Sequence, residues 1–312
     1  MTTVGALPGA YQPRRVPRLE SLPLRSGPLL VRHWEGDAQL PLTVLLHGFL
    51  DTGETWQFLV DEWPGAQRCC APDWRGFGRS AGTGAPYWFP QYFADLDALL
   101  ERLSPGAPVN LVGHSMGGHI ALTYAGLRPE RVERVISLDG PGLARTEPAA
   151  AVQKYRRWLD QLQAPLPHFG DYPSLEVFAQ VLRKRQPRLT PARAAFVAQA
   201  WTRPLAEGRV ALAMDPWHKL INPVNYRRDE QEACWAQIRA PTLLLQAELG
   251  EYRSELGEDG TDAGLRRTFP KAQLAELPGV SHMLHHQRPK AVASWVAAFL
   301  EGRPLPDVTG ME

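Results

Sequence analysis

Cysteine is scarce in this chain: three residues in 312, at Cys69, Cys70 and Cys234. An odd number, two of them adjacent, excludes a disulfide framework, and no pair of C-x-x-C spacings is present to hold zinc. The thiols are expected to be reduced. Neither sign of charge dominates, with 34 Lys and Arg against 33 Asp and Glu and a formal net charge of +1. The arginines are scattered, so there is no field to gather nucleic acid or an anionic membrane. Long apolar runs are missing too. The N-terminal MTTVGALPGAYQPRRVPRLE has no continuous hydrophobic stretch of the signal-peptide kind, and no segment approaches a membrane span. The expectation is a cytoplasmic protein with neither a nucleic-acid nor a membrane partner.

What remains is globular composition, 44% apolar and 21% charged, enough to bury a sheet with helices on both faces. Residues 1–18, rich in Pro, Arg and Gly, read as an extended arm on the surface or partly disordered. Beyond it, short apolar runs at 29–34, 43–47, 68–72, 109–113, 135–138, 242–246 and 273–277 alternate with helical patterns at 55–63, 90–103, 117–127 and 289–300. That alternation predicts an α/β fold with a mostly parallel sheet. In 90–103, Phe93, Leu96, Leu99, Leu100 and Leu103 form the stripe facing the sheet, and Asp95 and Asp97 fall off it, as a solvated face or local caps would. The rhythm breaks between 138 and 242. This stretch is too long for a loop, and helical periodicity at 152–162, 175–185 and 191–201 predicts a mostly helical cap. The expected organisation is a core of 19–142 and 236–312 around a cap of 143–235.

Gly113-His114-Ser115-Met116-Gly117 fits G-x-S-x-G, and it stands after the apolar strand VNLV and before the helix GGHIALTYA. A serine on so tight a strand-to-helix turn has its Oγ exposed, and only small neighbours let strand and helix approach so closely. This points to Ser115 as a nucleophile.

Together with LLHGFLD (45–51), DWRGFGRS (73–80), RAPTLLLQ and PGVSHMLHHQRP, the elbow resembles the α/β-hydrolase superfamily from about residue 29 to 300. LLLQAELGEY with LDGPG also resembles its serine-hydrolase-like branch. The resemblance implies a mostly parallel eight-stranded sheet with helices on both faces and an inserted helical cap. It also implies an oxyanion loop at 45–51, which makes the N–H groups of Phe49 and Met116 the candidate donors to a developing oxyanion, and His47 a structural residue. It aligns His282 with the family's general base, with His285 and His286 as neighbouring competitors. The run of three histidines also invites a metal reading. No nearby carboxylate or cysteine completes a ligand set in sequence and the family needs no metal, so neither a metal nor a cofactor is expected.

The acid departs from the family's commonest pattern. Its usual slot after the returning strand is Gly250, flanked by Glu248 and Glu251. The alternative is Asp139 after VISL, a position from which some resembling haloalkane dehalogenases supply the carboxylate. The acid has only to orient the imidazole and stabilise its cation, so which strand carries it is immaterial. Asp139, Glu248 and Glu251 all stay open.

Serine at the elbow argues against haloalkane dehalogenase and epoxide hydrolase chemistry, for which those relatives use Asp. Acyl transfer to water remains, with a small-molecule ester as the expected substrate. An amidase, thioesterase, lactonase or carbon–carbon bond hydrolase on the same groups is the alternative, as is a ligand-binding protein that kept the fold. Trp158, Phe178, Trp201, Met214, Trp217 and His218 offer aromatic and thioether surface in the cap, for substrate or for the cap's own core. In 215–219, DPWHK, one side chain could project toward Ser115 or the charged members could pair.

Overall fold

A computed structural model describes residues 7–311. In chain order the first half runs β1 (Arg18–Leu24), β2 (Gly27–Trp34), β3 (Thr43–Leu46), α1 (Gln57–Asp61), β4 (Cys69–Pro72), α2 (Pro90–Leu103), β5 (Val109–His114), α3 (Met116–Leu127) and β6 (Val132–Leu138). After β6 come α4 (Ala150–Gln163), β7 (Asp171–Tyr172), α5 (Leu175–Arg185), α6 (Pro191–Trp201), β8 (Thr202–Pro204), β9 (Val210–Leu212) and α7 (Arg228–Trp235). The chain then returns through β10 (Thr242–Ala247), α8 (Glu251–Glu255), α9 (Asp262–Thr268), β11 (Gln273–Leu277), α10 (Leu284–Gln287) and α11 (Pro289–Leu300).

Eight strands form one sheet in the order β1-β2-β4-β3-β5-β6-β10-β11. The β1/β2 and β2/β4 pairs are antiparallel and the rest are parallel. Strands β3, β4, β5 and β10 are buried at every residue, which is why they read as continuous apolar runs: both sheet faces are covered. Their side chains still alternate. Val44, Leu46, Leu111 and Leu244 join one apolar cluster with Leu96, Leu99 and Ile120 of α2 and α3. Leu45, Val112, Leu243 and Leu245 point the other way, to Leu59 of α1 and Val292 and Val296 of α11.

Strand β1 starts at the last residue of the expected arm and runs on through 19–24, where the sequence predicts no strand. Its burial alternates weakly and it contains Pro23, which an edge strand tolerates because one row of its N–H groups has no partner strand. The described part of the arm is packed, not loose. The Tyr11 hydroxyl donates to Asp61 Oδ2 at 2.9 Å, and Arg15 N–H to Asp61 Oδ1 at 2.8 Å.

Asp95 corrects the reading of α2. It is 1% exposed, takes Arg75 Nε and Nη2 at 2.5 Å each, and accepts the Ser26 hydroxyl at 2.6 Å. The helix has a second buried face, turned toward the loop after β4, and the charge there is matched by a forked guanidinium. Asp97 does stay half in solvent, accepting the Tyr124 hydroxyl at 2.8 Å.

Between β6 and β10 the chain leaves the main sheet. This insertion holds helices α4 to α7 and also a three-stranded antiparallel sheet, β7-β9-β8, which helical periodicity did not foretell because its strands are only two or three residues long. Phe178, Leu182 and Val197 form its own core, joined by Phe58 from the main body. Among the described residues no helix is long and apolar enough to cross a membrane.

Candidate active site

Every residue singled out in the core for chemistry follows the carboxyl end of a sheet strand: Phe49 after β3, Ser115 after β5, Asp139 after β6, Glu248 after β10 and His282 after β11. In open α/β sheets this edge is where ligands bind.

Ser115 has φ 51° and ψ −116°, a conformation that costs a non-glycine residue roughly 1–3 kcal/mol and persists only when its surroundings enforce it. They do so through two backbone bonds, Ser115 N–H to Leu138 O at 2.9 Å and His119 N–H to Ser115 O at 3.0 Å. They do so also by crowding. A Cβ on Gly117 would collide with Leu46 O, and one on Gly140 with Ser115 O. Small residues are therefore required where the helix crosses β3 and where the loop after β6 passes the serine.

That loop carries Asp139, itself at φ 49° and wholly buried. His282 Nδ1–H donates to Asp139 Oδ2 at 2.7 Å, and Asp139 Oδ1 accepts Ala247 N–H at 3.3 Å. A carboxylate can only accept here, so the proton lies on Nδ1 and Nε2 keeps its lone pair. The half-exposed His282 is anchored through its backbone as well: its carbonyl accepts His114 Nε2–H at 2.8 Å. Tyr252 stands beside the imidazole with ring centroids 5.4 Å apart, and its hydroxyl donates to Gly142 O. Burial pushes the Tyr252 phenol up, so it remains protonated. Neither His114 nor Tyr252 was singled out from sequence. The variable position inside G-x-S-x-G and a lone Tyr carry no motif signal.

The loop after β3 lies against the elbow. A Cβ on Gly48 would stand 2.9 Å from His114 Nδ1 and 3.1 Å from Ser115 Cβ. His47 holds this loop: Nδ1–H donates to Gly48 O and Nε2 accepts Trp74 N–H, both at 2.8 Å. Burial lowers its pKa, keeping it in the neutral form that this donor–acceptor pair needs. Neither Phe49 N–H nor Met116 N–H is engaged by a protein acceptor among the described residues.

The competing acids stand elsewhere. Glu248 accepts Gly279 N–H at 2.6 Å in solvent, and Glu251 is exposed at the start of α8. The competing histidines, His285 and His286, are wholly buried, each with Nε2 3.7 Å from Asp51 Oδ2. Asp51 corrects the expectation that no carboxylate stands near the histidine run. It arrives from the loop after β3, more than two hundred residues away in sequence, and is the carboxylate that sequence spacing could not place there. Burial lowers the pKa of His285, and that of His286 to about 3, so both are neutral near pH 7.

The insertion residues separate. His218 stacks on Tyr87 with ring centroids 3.6 Å apart, lies 4.1 Å from Phe77 and meets Phe49 edge-on at 5.9 Å. Met214 pairs by backbone with Phe77. Trp201 Nε1–H donates to Asp51 Oδ1 at 2.7 Å, which ties the insertion to the loop after β3. Trp158 and Trp217 are half-buried, and no ring contact links them to the surroundings of Ser115 among the described residues. Phe178 is core of the insertion. Asp215 accepts the Tyr87 hydroxyl at 2.8 Å, whereas Lys219 Nζ reaches His168 O at 2.8 Å, so these two charges do not pair.

A family model described as the alpha/beta hydrolase fold matches residues 41–289. The chain is 28% identical over 298 residues to a serine hydrolase-like protein of Danio rerio, covering 92% of this chain and 89% of that one. It is 27% identical over 305 residues to the sn-1-specific diacylglycerol lipase ABHD11 of Mus musculus, covering 95% and 92%. Among solved structures, the thioesterase domain from the curacin biosynthetic pathway superposes with a TM-score of 0.75 at 26% identity, covering 89% of this chain and 98% of that one.

Proposed function

The chain belongs to the α/β-hydrolase superfamily, a family of hydrolases, and from that premise we propose that it cleaves carboxylic esters through an acyl-enzyme at Ser115. The observation that carries this reading is the 2.7 Å bond from His282 Nδ1 to the buried Asp139 carboxylate, at the same sheet edge as a serine held in a strained turn. His282 Nε2 takes the proton from Ser115 Oγ as the oxygen attacks the ester carbonyl. Phe49 N–H and Met116 N–H, both unspent on protein acceptors, receive the oxyanion; losing one such donor typically costs about two to three powers of ten in turnover. As the tetrahedral adduct collapses, the imidazolium, steadied by Asp139, returns its proton to the departing alcohol. Water then enters, the same nitrogen deprotonates it, and the acid is released.

The substrate is a small-molecule ester with an apolar portion. Met214 and His218 are the insertion residues we assign to it first, because they touch the loops beside Ser115 through Phe77 and Phe49, and Trp217 is assigned only through its place next to His218 in sequence. Trp201 is assigned to positioning Asp51, and Trp158 to a more distant wall. A thioester would be attacked by the same groups, and the likeness to a thioesterase domain is the observation that favours testing one.

The test is a panel of p-nitrophenyl esters and matching thioesters of increasing acyl length, followed at early times. A burst of about one equivalent of product per chain, absent in Ser115→Ala, supports the reading. Absence of hydrolysis across the panel, or turnover retained by Ser115→Ala, contradicts it.

A further inference from the structure

We propose that Asp51, His114 and His285 form a binding site for a divalent transition-metal ion of the zinc class. Their ligand atoms lie within 4.8 Å of one another and all three side chains are buried. Asp51 Oδ2 and His285 Nε2 stand 3.7 Å apart. That is beyond hydrogen-bond reach, yet close to the separation of about 3.4 Å between two ligands bound at about 2.1 Å to a tetrahedral ion. His286 Nε2 is also 3.7 Å from the same oxygen but stands outside the three-residue group.

The atoms left without partners point to an ion. Asp51 spends Oδ1 on three donors, Thr52 N–H, the Thr55 hydroxyl and Trp201 Nε1–H, at 2.8, 2.7 and 2.7 Å. Its Oδ2 has none. His114 donates Nε2–H to the His282 carbonyl, which fixes its tautomer and leaves a lone pair on Nδ1, also without a partner. Both ring nitrogens of His285 and of His286 are in the same position. Three of these orphaned atoms, one each from Asp51, His114 and His285, lie together, whereas native interiors leave only a few per hundred residues. A carboxylate oxygen beside imidazole nitrogens is the donor set that zinc-class ions take, and the hydrogen bonds on Asp51 Oδ1 and His114 Nε2 supply the outer support that orients such ligands.

The ion would join three elements: the loop after β3 that carries Phe49, the end of β5 just before Ser115, and the helix α10 that follows His282. Its role is a clamp. It takes no part in the proton transfers assigned above and does not depend on them.

The test uses the full chain, produced in zinc-supplemented culture, purified without chelator and dialysed against metal-free buffer. Elemental analysis is expected to find about one zinc per chain, and Asp51→Asn and His285→Gln to retain at least tenfold less, while His168→Gln, at an exposed position, retains it. Should the two site variants misfold, X-ray absorption on the wild-type chain decides, with an all nitrogen and oxygen shell expected at about 2.1 Å. No retained metal, equal retention by folded Asp51→Asn and His285→Gln, or sulfur in the shell overturns the proposal.

Discussion

Gly250 faces Asp139: a Cβ built on Gly250 would stand 3.0 Å from Asp139 Oδ2. The slot where the superfamily's usual aspartate would emerge and the carboxylate that meets His282 thus share one small volume. Two strands, β6 and β10, pair side by side, and the loops that follow them bring positions 139 and 250 together.

Removing that acid should stop turnover more than binding. Asp139→Asn keeps a side chain that tolerates the positive φ but cannot hold the imidazolium, so kcat is expected to fall on the order of a thousandfold or more with KM little changed. Glu248→Gln, which alters a solvent contact, should stay within about twofold of wild type. Steady-state kinetics on one p-nitrophenyl ester checks both, and a large loss in Glu248→Gln alone would reverse the assignment.

The shared volume permits a swap. Gly250 has φ −74° and ψ 117°, which any L-residue can adopt. The double variant Asp139→Gly with Gly250→Asp should therefore regain roughly tenfold or more of the turnover lost in Asp139→Gly alone, because only the carboxylate's place matters to the imidazole. Equal rates in the two would show that the site reads more than charge position.

The buried Arg75–Asp95 pair predicts a stability effect. Asp95→Ala leaves a guanidinium in the interior and should cost about 3–5 kcal/mol, whereas joint replacement, Arg75→Met with Asp95→Leu, should recover most of it. Urea unfolding midpoints compare the three, and a double variant no better than the single would mean that the pair is not the source.

His119 gives the pH dependence a sign. It is 3% exposed, and burial lowers its pKa from 6.5 to about 4. Between those values the unfolded chain binds the proton and the folded chain does not. Stability is therefore full above about pH 6.5 and falls as the pH drops toward 4, by about 1.4 kcal/mol per pH unit from this group. Unfolding free energies across that window should slope less in His119→Gln than in wild type; parallel slopes would remove His119 as a cause.

Much of this architecture is readable in the sequence because buried parallel strands and amphipathic helices carry strong periodic signals. Helix 90–103, helix 175–185, helix 191–201, helix 289–300 and strand 273–277 coincide with observed elements. What escaped lacks such periodicity: an edge strand interrupted by Pro23, and two- or three-residue strands in the insertion. The Ser115 turn announces itself because its chemistry and its backbone geometry make the same local demand for small residues. The surroundings of His282 are less legible. Asp139, Tyr252 and His114 reach it from three elements, and only the first follows a strand at a place the superfamily makes suggestive. Asp51 could not be paired with His285 from sequence at all, since the contact depends on how the loop after β3 crosses α10.

The central claim is an acyl-enzyme on Ser115. Mixing the full chain with a p-nitrophenyl ester, quenching in acid at early times and mapping the modified peptide by mass spectrometry tests it most directly. The account predicts one acyl group, on Ser115, that accumulates during the burst and is absent from Ser115→Ala. Acylation of another residue, or undiminished turnover by Ser115→Ala, would contradict it.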